Sequence, residues 1–197
     1  MTREELTTAG ERLREATSGT TGEATDRLES LAEQLETLAD RHAVVGIDIA
    51  RSQLALARER VPSARLVQGE LTRLPIATGA ADALCSLHAV IHVPRERHDA
   101  VFAEFARVLA PGGELLVTLG TGAWEGRNPD WLGDADGTDA VTAPGDSTGA
   151  AMRWSFHGAD RSRELLRAAG FALGEETVVG DELGGGEWLF LRARLPG

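Results

Sequence analysis

Ala43-Val44-Val45-Gly46-Ile47-Asp48-Ile49 is the stretch whose reading decides the fold. It is a short, nearly continuous β-branched run, the pattern of a strand buried on both faces in a parallel sheet. Downstream, short strands alternate with helices. Arg51–Arg60 reads as a helix with Ser52 as its cap, stopped by Pro62, and Arg65–Gln68 as a strand ending at Gly69. Ala81–Leu87 is a second buried strand, and Pro94 opens a helix running to Leu109. Pro111-Gly112-Gly113 is a tight turn into the strand Glu114–Leu119. Ala159–Ala169 is a helix closed by Gly170. The final strands, Phe171–Val179 and Glu187–Ala193, flank Gly184-Gly185-Gly186 and predict an antiparallel hairpin. The implied class is α/β: a Rossmann-like, mostly parallel sheet with helices on both faces and a C-terminal antiparallel hairpin.

Upstream of the opening strand the period is helical. Residues 1–42 read as a helical N-terminal segment of two helices, about Arg3–Ala16 and Glu23–Arg41, broken by Thr17-Ser18-Gly19-Thr20-Thr21-Gly22. Leu28, Leu31, Leu35 and Leu38 form one apolar stripe, read either as core packing or as a homodimer seam. Residues 43–197 form the main domain. Within it, residues 134–149 combine Gly, Pro, Asp and Thr without periodicity, which predicts a flexible surface loop.

The charge narrows the partners. Thirty-one acidic residues face twenty basic ones, a net charge of -11 over 197 residues. That sign repels phosphate backbones, so nucleic acid is not the expected partner. All the basic residues are arginine, and lysine and tyrosine are absent; salt adaptation and biased base composition are both open explanations. No run of eighteen apolar residues is present, so no membrane association is expected. The first twenty residues lack an apolar signal region and Cys85 is the single cysteine, which makes the cytoplasm the expected compartment.

From Val44 onward the order of features resembles the class I S-adenosylmethionine (SAM) dependent methyltransferases of the small-molecule type. Val45-Gly46-Ile47-Asp48-Ile49 is similar to the family's second strand, whose terminal acid accepts both ribose hydroxyls. A carboxylate suits that task because its two oxygens take two donors at once. The resemblance implies that Asp48 holds ribose and that Ile49 lies against the adenine face. Gly69-Glu70-Leu71 is similar to the segment that meets the adenine amino group, with Glu70 where aspartate is usual. Asp82-Ala83-Leu84-Cys85-Ser86-Leu87 resembles the fourth strand, which places Leu87 beside the cofactor. Arg107–Leu116 and Glu164–Phe171 resemble the entries to the fifth and sixth strands. SAM is thus the expected cofactor and a small molecule the expected methyl acceptor.

One departure stands out. The family's first strand ends in a GxGxG loop, roughly fifteen to twenty residues before the ribose-binding acid, where glycine lets backbone approach the cofactor. The corresponding place, Leu28-Glu29-Ser30-Leu31-Ala32, has no glycine; Gly19-Thr20-Thr21-Gly22 is the one substitute. In the family order, 3-2-1-4-5-7-6, that strand is central. The expectation is therefore a sheet whose first central strand is lost or irregular. The favoured outcomes are direct pairing of the second and fourth strands or a loosely filled gap between them; an irregular strand from residues 1–27 and a truncated or rearranged relative are the other outcomes.

His88 and His92 flank the expected reaction centre. Four residues apart, they would share a face of a helix and suit a metal, but no carboxylate lies between them and the segment reads as a loop. The resemblance instead makes His88 the candidate catalytic residue, orienting a substrate or taking its proton. The bland alternative is a partly buried histidine bonded to backbone. His92, Trp124, Trp131 and Trp154 are candidate substrate-binding residues, the tryptophans forming apolar walls or simply packing a lid. Arg127 and Arg153 could grip a substrate carboxylate or stay solvated. Cys85 reads as a small buried hydrophobe. The rival to an enzyme is a degenerate, non-catalytic binding or scaffold protein that keeps the fold and has lost SAM.

Overall fold

Three chain segments, residues 42–131, 150–180 and 186–197, are described by a computed structural model of the protein. Their elements run β1 (Val45–Asp48), α1 (Arg51–Arg60), β2 (Arg65–Gln68), β3 (Ala81–Ser86), α2 (His98–Val108), β4 (Leu109–Gly120), β5 (Trp124–Trp131), β6 (Ala150–Phe156), α3 (Ala159–Ala168), β7 (Ala172–Gly180) and β8 (Glu187–Arg194). Two single 3-10 turns, Val90–His92 and Arg95–Arg97, connect β3 to α2. The expected N-terminal helices, their dimer seam and residues 134–149 lie outside the described residues.

The strands form a parallel pair β1-β2, a four-stranded sheet in the order β3-β4-β8-β7, and an antiparallel hairpin β5-β6. In the four-stranded sheet β8 alone runs against the others. Set side by side, the first two sheets reproduce the order 3-2-(1)-4-5-7-6 with the first position vacant among the described residues. The fold is the mixed α/β, Rossmann-like arrangement. Of the two favoured outcomes, direct pairing of the second and fourth strands does not occur: among the described residues β1 pairs with β2 only, and β3 with β4 only. Among the same residues β1 is half-buried rather than buried on both faces, and Val45 is exposed.

Side-chain parity builds the core. Leu115, Val117 and Leu119 of β4 stand opposite Ala193, Leu191 and Leu189 of β8. All six pack on Val101, Phe102, Phe105 and Val108 of α2 and on Leu165 and Leu166 of α3. The alternate positions, including Thr118, Phe190 and Trp188, therefore face the other side. The expected turn at Pro111-Gly112-Gly113 is absorbed into β4 as a bulge. The register slips between Ala81 and Ala83, Gly112 adopts φ +80°, and Gly112 and Gly113 bond to Leu195. Gly170, at φ +97°, ends α3 as read from the sequence.

Candidate functional site

In open α/β sheets, ligands settle beyond the carboxyl ends of the strands, where the strand order reverses. Here that point lies between β1 and β3. At the tip of β1, Asp48 Oδ1 accepts the Ala50 N–H at 2.7 Å. This contact makes Ala50, not Ser52, the cap position of α1, which has no side-chain cap bond. No donor among the described residues meets Asp48 Oδ2. Gln68, at the end of β2, braces the same turn: its Nε2 donates to Ile49 O and its Oε1 accepts from Arg51 Nε, both at 2.9 Å. Ile49 is 67% exposed, an apolar platform at the strand tip. This set of an acid with a spare oxygen and an adjoining flat apolar surface fits a nucleoside.

Glu70 follows β2 and stands exposed. Its Oε1 accepts the Thr72 hydroxyl at 2.6 Å, and Arg97 lies 3.5 Å away while donating to Thr72 Oγ1 at 2.7 Å. Leu71 packs against the hydrophobic core. The segment beyond is fastened to α2. Glu104 accepts the Leu74 N–H at 2.6 Å, and Arg107 donates to Leu74 O, Ile76 O and Glu104. The hydrogen bond from Arg107 holds the Glu104 carboxyl below its ordinary range.

At the tip of β3, half-buried Leu87 leads to His88, whose φ of 49° is the one left-handed non-glycine value among the described residues. That conformation is rare outside glycine and turns the chain sharply at the strand tip. The His88 ring stands edge-on to Trp188 at 5.2 Å and to Phe190 at 6.0 Å. Ser86, just before it, is buried with an unpartnered Oγ among the described residues.

The β5-β6 hairpin has two faces. Trp124 stands opposite Phe156 and Gly126 opposite Trp154, while Glu125 stands opposite Ser155 and Arg127 opposite Arg153. The aromatic side continues the contacts of His88: Trp188 to Phe156 at 5.6 Å, Phe156 to Trp124 at 6.1 Å, Trp124 to Trp154 at 6.2 Å and Trp154 to His92 at 5.9 Å. Sequence reading named four of these rings but missed Phe156 and Trp188. The alternation Trp124-Glu125-Gly126-Arg127 and Arg153-Trp154-Ser155-Phe156 was the available signal. Trp131 pairs with Ala150 at the far end of the hairpin. On the charged side Arg153 is paired with Glu125, which also attracts Arg95.

His88 and His92 do not converge on a metal. His88 turns to Trp188, whereas His92 Nδ1 meets Arg153 O at 2.9 Å. Among the described residues no three His, Cys, Asp or Glu side chains cluster as ligands. Cys85 corrects another expectation: its residue surface is partly exposed, while the thiol is desolvated enough to be pushed up to about 11.

Residues 22–117 match the family described as Methyltransferase domain. The methyltransferase GfsG of Streptomyces halstedii is 36% identical over 80 residues, a match covering 38% of this chain and only 28% of that protein. Among solved structures, a SAM-dependent methyltransferase from Methanosarcina mazei is similar with a TM-score of 0.64 at 17% identity, over 82% of this chain and 86% of that one. The Burkholderia thailandensis 1,6-didemethyltoxoflavin-N1-methyltransferase, solved with 1,6-didemethyltoxoflavin and S-adenosylhomocysteine, has a TM-score of 0.56 at 19% identity, over 85% and 66% of the two chains. Residues 22–117 thus resemble a methyltransferase domain, and the fold is that of SAM-dependent methyltransferases of known structure. The matched span begins at Gly22, the last residue of the one substitute for the glycine-rich loop, and that residue lies outside the described structure.

Proposed function

We propose that this protein transfers a methyl group from SAM to a small molecule. The observation that carries the reading is Asp48: an acid at the tip of β1 that engages the Ala50 N–H through one oxygen and has the other unmet among the described residues. Asp48 accepts the ribose hydroxyls, Ile49 supports the adenine face, and Glu70 accepts from the adenine amino group. When bound, SAM supplies an electrophilic methyl on a sulfonium. Leu87 lines the approach to it, and His88 takes the proton released by the acceptor. His92, Trp124, Trp131 and Trp154 wall the acceptor site, and alignment of the reactants is the main catalytic contribution. Arg153, already paired with Glu125, is not part of that grip.

The partner is accordingly a small molecule rather than nucleic acid, given the net charge of -11. Among the described residues no helix is long and apolar enough to cross a membrane, and we place the protein in the cytoplasm. A homodimer through residues 1–42 belongs to the same proposal.

Calorimetric titration with SAM and S-adenosylhomocysteine tests the reading. Binding tighter than about 1 mM, near -4 kcal/mol, is expected for the parent chain, with none measurable for Asp48→Ala. Unchanged affinity in the variant removes Asp48 from the site, and no binding by the parent removes the proposal.

A further inference from the structure

We infer that the joint between the Arg95–Arg97 turn and the end of β6 is an acid-released latch. It holds the aromatic hairpin over the strand tips at neutral pH and frees it as histidine charges.

Four contacts make the joint. Arg95 N donates to Ser155 Oγ at 2.9 Å, and Ser155 is fully buried. His157 Nε2 donates to Arg95 O at 3.1 Å, and His92 Nδ1 donates to Arg153 O at 2.9 Å. The fourth contact has no hydrogen bond: His98, buried at the start of α2, stands edge-on to His157 with ring centroids 5.5 Å apart. His98 Nε2 donates to Val93 O at 3.0 Å, which fixes the neutral tautomer with Nδ1 bare. That Nδ1 is buried without a partner among the described residues.

A proton on Nδ1 would bury a cation edge-on to the His157 ring, a desolvation cost that the Val93 and Val90 backbone offsets only in part. The nearby ionic groups compensate poorly. Arg95 lies by Glu96 and Glu125, and Arg153 is engaged by Glu125; of the acids, Glu96 attracts His98 only weakly. Desolvation lowers the His98 pKa, opposed by hydrogen bonds to the Val93 and Val90 backbone. The sign follows: the closed joint binds fewer protons than the open one, so it is firm above the ordinary histidine value of 6.5 and weakens as pH falls below it. Swinging the end of β6 away relieves that cost and withdraws Phe156 from Trp188.

Hydrogen exchange of the full chain, corrected for intrinsic rates, tests the latch between about pH 7.5 and about pH 5.5. Residues 153–157 should lose about tenfold protection on acidification while α2 and β8 keep theirs. In His98→Gln, which keeps a donor for Val93 O but cannot charge, the loss should disappear. His157→Gln, which removes the ring that stands against His98, should reduce it and serves if the first variant does not fold. Equal acid opening in parent and variants, or simultaneous loss across all elements, overturns the proposal.

Discussion

Gly120, the last residue of β4, lies directly beneath the ring of Phe156: a Cβ added there would overlap the ring. The register puts Trp188 opposite Gly120, so one missing side chain seats the ring that joins the hairpin to the main sheet. Gly120→Ala should therefore unseat Phe156 at a cost of about 1–3 kcal/mol. Denaturant unfolding checks the stability, and a red shift of tryptophan emission checks the local displacement.

The proposal makes His88, at the tip of β3, the group that takes the acceptor's proton rather than one that holds the cofactor. His88→Gln should lower kcat by about 10²–10⁴-fold with little change in the affinity for SAM. Methyl-transfer kinetics with an accepted substrate, together with calorimetry, separate the two effects. A change confined to SAM affinity would contradict the assignment.

Glu104 ties the segment after β2 to α2. Glu104→Ala leaves the buried Leu74 N–H without its acceptor and should destabilise the protein by about 1–3 kcal/mol. Arg107 depresses the Glu104 carboxyl, so its contribution is fully present above the ordinary value of 4.5 and is lost as pH falls through the lower folded-state value. Denaturation midpoints across the acid range should converge for parent and variant.

Cys85 should be a slow nucleophile despite its exposure. With its thiol at about 11 against an ordinary 9.0, the thiolate fraction near pH 8 falls about a hundredfold. Alkylation followed by mass spectrometry should show a correspondingly slow rate that recovers on unfolding.

Local chemistry was legible in the sequence, and distant pairing was less so. β2 was bounded as observed, and Gly170 and the β7-β8 pairing stood out because turn residues and alternation lie within a few positions of one another. The β5-β6 hairpin was missed because its strands are separated by residues 132–149, so no short turn announced it. Burial of β1 and Cys85 was overestimated: a β-branched run signals a strand, but not how far that strand is covered. Ser52 lost the cap position to Ala50 because Asp48 engages the Ala50 N–H first. The positions of Asp48, Glu70 and His88 at or just beyond strand ends follow from the strand pattern, whereas Trp188 joined the rings only through its register with Gly120.

The separation of β1-β2 from the larger sheet has a thermodynamic consequence. Among the described residues, no strand pairing joins the two: Ile47, Leu71, Leu74 and Ile76 reach the core, Arg97 meets Glu70 and Thr72, and Glu104 and Arg107 fasten the backbone between them. A unit attached without strand pairing should open before the four-stranded sheet does. Any nucleoside gripping Asp48 and Glu70 would then act as a splint on β1 and β2, raising their resistance to proteolysis with ligand occupancy.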